Sequence, residues 1–269
     1  MKALGLQINV KDDHFIISTP EPFDTKKVTK RSILSYIGRF YDPMGFVSPI
    51  VVTAKAIMQK LWLLNTGWND SPPANVQQEW FNFTNNLAAM QPILLDRNIS
   101  VSEGDSADLI GFADASSKTA YGCCVYLRVT DQTGTTKLHL LCSKSRINPI
   151  QRKGMTVPRL ELNAALLLSK LVLRTHDTLR VKINIRHVCL FSDSQIVLAW
   201  LTTELTKLQA YVSNRVSVIR QNTSGYSWHY VNTHDNPADL ISRGVNPNEL
   251  SSCDIWWNGP KFLQNNKRP

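Results

Sequence analysis

The hydrophobic pattern changes period near residue 106, and that change constrains the fold of this 269-residue chain more than any other feature. Before it, apolar residues recur at helical spacing. Ile33, Leu34, Ile37, Phe40 and Tyr41 form one run, stopped by Asp42-Pro43 and Gly45. A second helix is predicted from about Pro49 to Asn65, with Ala54, Ile57, Met58, Leu61 and Trp62 on its apolar side. A third follows Pro72-Pro73 and uses Val76, Trp80, Phe83 and Leu87. Residues 1–98 therefore read as mostly helical after a short opening strand, with the aromatic stripes assigned to core. Pro92 to Asp105 is polar and turn-rich, and marks the predicted domain boundary.

Beyond it, Leu109–Ala113, Tyr121–Val129 and Leu138–Cys142 read as three strands joined by short links, an antiparallel meander. A helix from Leu160 to about Arg174 follows, then a short buried strand, His187–Phe191. Helices over Ser194–Leu201 and Thr206–Gln221, a strand over Tyr226–Val231 and a last helix from Pro237, capped by Asp235 or Asn236, complete the series. The order β-β-β-α-β-α-α-β-α predicts an α/β domain: a mixed five-stranded sheet flanked by helices.

Four acids lie at telling places in that order: Asp114 in GFADAS, Glu161 in PRLELNAA, Asp193 in LFSDSQIVLAW and Asp239 in HDNPADLISRG. Asp114 and Asp193 sit at strand ends, and adjacent strands would bring both out at one sheet edge. Glu161 and Asp239 fall in the predicted first turns of helices, where the macrodipole alone would favour them. Singly, each has this ordinary explanation. Together, a nest of like charges calls for cations, the electrostatics of a metal-dependent phosphodiesterase.

Composition sets the outer limits. With 43% hydrophobic and 19% charged residues the chain reads as globular, and no run nears the roughly 18 apolar residues of a membrane span. The opening MKALGLQINVKDDHF has no signal-peptide core. Five cysteines lack metal-ligand spacing, and four lie in strand-like runs, so an intracellular, reducing setting is expected. A net charge of +9 favours a polyanionic partner. Lys26, Lys27, Lys30 and Arg31 form one basic run; Lys144, Arg146, Arg152, Lys153 and Arg159 form another between the first two acids. A solvated face is the alternative for each.

The strings around the acids carry a resemblance. D-S-Q-x-V at Asp193–Val197, R-x-E-L-x-A-A at Arg159–Ala165, D-A-S at Asp114–Ser116 with Gly122, and N-P-A-D-x-x-S-R-G at Asn236–Gly244 resemble, in order, the third, second, first and fourth carboxylate motifs of type 1 ribonuclease H domains. The flanks narrow it. TKRSILSYIGRFYDPMGFVSPI (29–50) with KAIMQKLW (55–62) resembles the thumb-like segment after the polymerase palm in Pol proteins of BEL/Pao LTR retrotransposons. LGLQIN resembles the end of that palm, and IWWNGPKFL (255–263) the link after ribonuclease H. No Y-x-D-D-like polymerase motif is present.

The resemblance implies a thumb- or connection-like segment at 1–98, a ribonuclease H-like domain at 99–250 and a linker at 251–269. It implies two-metal hydrolysis of the RNA strand of an RNA–DNA hybrid, leaving a 3′-hydroxyl and a 5′-phosphate. Asp114 would bridge two Mg²⁺ ions (Mn²⁺ substituting), with Glu161 and Asp193 completing one site and Asp239 the other. His234 is a candidate for proton transfer, with a solvent-facing loop histidine as the alternative. Ser116, Asn163, Ser194, Gln195, Lys144, Arg146 and Arg159 are candidates for nucleic-acid contact, though Ser194 equally suits a helix cap. The implied partners are the hybrid and the rest of Pol, reverse transcriptase and integrase, with no membrane, in a cytoplasmic virus-like particle or the nucleus. Two rival readings stand beside this one. A catalytically silent nucleic-acid-binding module is the first. An aspartic peptidase is the second, but it needs D-T-G or D-S-G, and only Asn65-Thr66-Gly67 and the interrupted Asp131-Gln132-Thr133-Gly134 come near.

Overall fold

A computed structural model describes residues 2–3, 6–99, 101–150 and 155–264. The chain divides into two compact units, and it crosses between them more than once. The first takes the chain to Pro43, then Val47 to about residue 100 and Gly244–Cys253; the second takes Met44–Phe46, Val101–Arg243 and the chain from Asp254.

The first unit opens with β1 (Lys2–Ala3), β2 (Leu6–Asn9) and β3 (His14–Ile17), and a fourth strand, β4 (Ile93–Asp96), completes an antiparallel sheet in the order β1-β2-β3-β4. This corrects the expectation of one opening strand, and it places a strand inside the 92–105 stretch read as polar and turn-rich. β4 pairs with β3 across more than 70 intervening residues, Ile17 opposite Ile93, a partnership no local window reveals. Of LGLQIN, residues 4 and 5 lie outside the described residues.

Three helices follow: α1 (Lys30–Ile37), α2 (Ser48–Leu63) and α3 (Ala74–Ala88). Thr29 and Ser32 start α1 with reciprocal side-chain-to-backbone bonds of 3.1 and 2.9 Å, satisfying two amides that the helix leaves free. Trp80 is fully buried and meets Phe23, Tyr36 and Phe83 at ring separations of 5.4, 5.8 and 5.4 Å. Not every residue read as core is core: α1 ends before Phe40, and Leu34, Tyr41 and Trp62 are exposed. Trp62 instead offers its ring face to the Lys30 ammonium, 3.8 Å from the centroid.

The second unit is built on β5 (Ser106–Ala115), β6 (Ala120–Thr130), β7 (Thr136–Ile147), β8 (Ile185–Ser192) and β9 (Ser227–Tyr230), in the order β7-β6-β5-β8-β9. β5–β6–β7 is an antiparallel meander, while β8 and β9 join in parallel. Between them run α4 (Val157–Leu179), α5 (Gln195–Thr202) and α6 (Ala210–Asn222), with α7 (Ala238–Arg243) last. The mixed α/β sheet and the element order agree with the sequence reading. β5 is buried along its whole length, as a central strand covered on both faces must be. On one face Leu162 and Ala165 of α4 pack with Val197, Val212, Val216 and Ile219. On the other, Phe112 stacks on Phe191 at 5.1 Å and meets Tyr126 edge-on at 5.9 Å.

After α8 (Pro247–Leu250) in the first unit, the chain returns to the second as α9 (Asp254–Trp257) and a turn at Lys261–Leu263. Residues 254–264 are therefore packed structure rather than the predicted linker. Trp256 is fully buried, Tyr126 donates to its carbonyl at 2.8 Å, and Arg128 donates to that of Leu263 at 3.0 Å. The same unit claims Met44–Phe46: Ser143 N–H donates to Met44 O at 2.8 Å, and Trp256 Nε1 to Phe46 O at 2.8 Å. Between them Gly45 has φ +80°, and a Cβ there would collide with the Ser143 carbonyl. Cys123, Cys124, Cys142 and Cys189 are buried free thiols, and burial pushes all four up in pKa. Among the described residues no helix is long and apolar enough to cross a membrane.

Candidate active site

Asp114 is the next-to-last residue of β5 and is 6% exposed. Its partner across the ladder is Gly122, on β6. A Cβ at Gly122 would collide with Ile241 Cγ2 and come within 2.9 Å of the Lys144 carbonyl. The missing side chain lets α7 settle onto the strand end. Asn236 fixes the approach: its Nδ2 donates to Ala113 O at 3.2 Å, and its Oδ1 accepts from Ala238 N at 3.1 Å. One helical turn further on, the Ser242 hydroxyl donates to Asp114 Oδ2.

Asp193 comes to the same edge by register. β8 runs parallel to β5 with Ser192 opposite Ala113, so the next residue of β8 emerges beside Asp114. Thr233 Oγ1 donates to Asp193 Oδ2 at 2.9 Å, while Asp193 Oδ1 is buried and has no hydrogen-bond donor among the described residues.

Glu161 arrives on α4. The helix begins at Val157, so Glu161 lies in its second turn, not the first as predicted, and helix-start electrostatics no longer accounts for it. Its Oε2 accepts from Ser194 Oγ at 2.6 Å. The Ser194 oxygen also caps α5 by accepting from Val197 N at 3.2 Å, the capping role weighed for it, while the bond to Glu161 is one the sequence did not suggest. Asp239 does sit in the first turn of α7, half-buried, with Arg243 Nε 2.6 Å from its Oδ1. Arg243 pulls the Asp239 carboxyl down both by its charge and by hydrogen bonding.

The charges feel one another. Burial pushes the Asp114 carboxyl up to about 7; the Ser242 bond opposes this, and Asp193 and Asp239 add to it. Glu161 is raised by burial and Asp193, against the pull of Ser194. Asp239 is raised by burial and Asp193, against Arg243 and a smaller pull from His234. Asp193 is thus the neighbour shared by the other three, whereas the sequence reading put Asp114 at the centre. Asp114 is instead the most buried of the set. Among the described residues no three His, Cys, Asp or Glu side chains close into a ready metal-binding group. The donor set nonetheless fits a hard divalent cation: oxygen ligands only, like charges that raise one another, with Arg243 beside Asp239 alone, and a buried carboxylate oxygen without a donor among the described residues.

The remaining candidates divide. Ser116 follows β5 directly, bonded through its backbone to Ala120 O at 2.9 Å, and Gln195 is exposed at the start of α5. His234 is exposed in a short turn, Thr233–Asp235, ahead of α7. Lys144 and Arg146 are exposed on the edge strand β7. Asn163 and Arg159 turn away from the acids toward α6. Tyr211 and Arg215 both donate to Asn163 Oδ1, at 3.1 and 2.8 Å, and Arg159 donates to Gln209 at 3.2 Å. Arg152 and Lys153 lie outside the described residues. Sequence reasoning missed Asn236, Ser242 and Thr233. The first two lie inside the quoted closing motif, and only their hydrogen-bond partners set them apart.

A family model described as the Pao retrotransposon-like RNaseH-like domain matches residues 29–194, a span that includes Asp114, Glu161 and Asp193. The chain belongs to this family. Membership in the Pao retrotransposon-like family agrees with the observed mixed sheet and makes the second unit ribonuclease H-like. No curated protein matches the chain. Among solved structures it is similar to the N-terminal ribonuclease H domain of a Mycobacterium tuberculosis protein, at 12% identity and a TM-score of 0.32, covering 51% of this chain and 94% of that one. LC11 ribonuclease H1 in complex with an RNA/DNA hybrid gives 11%, 0.34, 52% and 96%. The foamy viral protease-reverse transcriptase in complex with an RNA/DNA hybrid gives 13% and 0.44, and the match covers 78% of this chain but only 26% of that one. At these values the fold assignment rests on the family match and the observed sheet.

Proposed function

We propose that this Pao-family chain is a retroelement ribonuclease H that hydrolyses the RNA strand of RNA–DNA hybrids. The observation that carries the reading is that the Asp114, Glu161 and Asp239 carboxyls are each raised by burial, with the charge of Asp193 adding to all three. Three hydroxyls, Ser242, Ser194 and Thr233, each hold one oxygen of Asp114, Glu161 and Asp193. The carboxylates are thereby oriented before any ligand arrives, and Asp193 Oδ1 is kept as an open acceptor. Two divalent cations, Mg²⁺ or Mn²⁺, held by the four acids would supply neutralising charge, an activated water and stabilisation of the leaving oxygen. Asp114 gives up a proton near neutral pH as the site is loaded. His234, beside Asp239 on an exposed turn, is placed to exchange a proton with solvent. Exposed Lys144 and Arg146 and the polar groups of Ser116 and Gln195 offer contacts to the duplex backbone. The working context is the Pol polyprotein with its polymerase and integrase, in a virus-like particle or the nucleus.

One observation favours the second reading, a silent binding module: the Arg243 guanidinium already sits 2.6 Å from Asp239 as an internal counter-ion. Cleavage of end-labelled RNA in a hybrid separates the two. Mg²⁺-dependent cleavage lost in Asp114→Asn and in Asp193→Asn supports the nuclease. Cleavage that persists in both variants sinks the assignment, and binding without cleavage by the parent chain selects the module.

A further inference from the structure

Ser242 and Arg243 are adjacent, yet they treat two acids of the site in opposite ways. Ser242 is fully buried and holds Asp114 through a neutral hydroxyl. Arg243, the last residue of α7, holds Asp239 one helical turn back, with Nε 2.6 Å from Oδ1. Glu161 and Asp193 are held as Asp114 is, by the hydroxyls of Ser194 and Thr233. A hydroxyl orients a carboxylate and leaves its charge for a cation to neutralise, whereas a guanidinium neutralises the charge itself. Among the described residues Asp239 alone of the four acids forms an ion pair with a protein cation.

This pair can open at little cost. The Arg243 side chain is 64% exposed, that of Asp239 only 24%. An i,i+4 pair whose cation stands in solvent is weak and is screened by salt. Burial raises the Asp239 carboxyl, and the charge of Arg243 is the largest pull against it. Asp239 Oδ1 is closed to solvent as the pair stands. Rotation about its own side-chain bonds can carry the guanidinium outward without moving α7, which the buried Ser242 keeps fastened to Asp114.

We propose that Arg243 is a displaceable counter-ion, which keeps Asp239 oriented and its charge compensated and must swing into solvent before Asp239 can hold a divalent cation. The inference rests on the metal-dependent ribonuclease reading and deepens it. Arg243 is then a positioning residue that opposes cation binding at Asp239, and the pair that favours a silent module gains a role in an active site.

Mn²⁺ binding to the full chain without nucleic acid tests this, with free Mn²⁺ read by electron paramagnetic resonance. Arg243→Gln is expected to tighten binding by roughly two- to fivefold, the range an exposed ion pair commands. Arg243→Lys keeps the charge and should stay near the parent. In an Asp239→Asn background the gain from Arg243→Gln should vanish, since no carboxylate is left to uncover. Arg243 is exposed, so its substitution leaves the fold intact. Unchanged or weaker Mn²⁺ binding in Arg243→Gln, or an equal gain with and without Asp239, overturns the inference and leaves the nuclease reading standing. A parent chain that binds no Mn²⁺ overturns both.

Discussion

The Ser242 hydroxyl donates to Oδ2 of Asp114, tying α7 to the end of β5, the central strand of the ribonuclease H-like unit. The bond opposes the rise of the Asp114 carboxyl, yet burial and two neighbouring acids still carry it to about 7 from an ordinary 3.8. The folded chain therefore holds a proton there that the unfolded chain releases. Between about pH 4 and pH 7 the folded state binds more protons, so this group makes stability fall as pH rises. Asp114→Asn should flatten that slope and raise stability at pH 8 by up to roughly 4 kcal/mol, the linkage value of about three pH units. Urea melts across this range, without divalent cations, measure both effects.

Divalent cations should reverse the penalty. Millimolar Mg²⁺ or Ca²⁺ is expected to raise the melting temperature more at pH 8 than at pH 5, because protons compete for the same oxygens. A hundredfold excess over Kd corresponds to about 2.7 kcal/mol. Asp193→Asn, which alters the neighbour common to the other three acids, should erase the effect. A cation shift retained in that variant would place the binding elsewhere.

Ser194 serves a helix and a carboxylate with one oxygen, and two substitutions pull these roles apart. Ser194→Ala should cost about 1–2 kcal/mol by losing the cap and should also free Glu161. Ser194→Asp restores a good cap but sets a second negative charge against Glu161. Stability should recover in chemical denaturation while hybrid cleavage stays low.

Gly122→Ala tests how closely α7 must approach the sheet. The added methyl meets Ile241, so about 1–3 kcal/mol of overpacking is expected, with Ser242 and Asp239 displaced from Asp114. Cleavage should fall further than the stability loss alone explains, which single-turnover rates at a temperature well below Tm would reveal.

Trp256→Ala checks that the segment after Cys253 is structural. The indole is fully buried and donates to Phe46 O, so a loss of about 3–5 kcal/mol is expected in urea. A change below about 1 kcal/mol would return the segment to the status of a linker.

The second unit was readable from sequence because its strands and helices are long and locally patterned, and because Asp114 and Asp193 fall at strand ends that register alone brings together. The first unit's sheet was not readable. β4 is four residues long and finds its partner only through folding of the helices between. The supporting hydroxyls were hidden for a related reason: Thr233 and Ser242 look like ordinary turn and helix residues until an acid from a distant strand stands beside them. Trp62 misled in the opposite direction, since helical spacing cannot tell a core aromatic from one that shields a lysine at the surface.

Met44–Phe46 belongs to the second unit although a long stretch of the first unit, Val47–Ser100, separates it from β5. A ribonuclease H-like fragment cut at the apparent boundary near residue 100 would begin without those three residues. Ser143 on the outer strand would lose its backbone and side-chain acceptors, and the Trp256 indole would be left buried with nothing to donate to. A cut before Gly244 would strip away α9 and the turn behind Tyr126 and Arg128 as well. Each unit draws its chain from both sides of the other, so neither is encoded by one uninterrupted stretch of sequence.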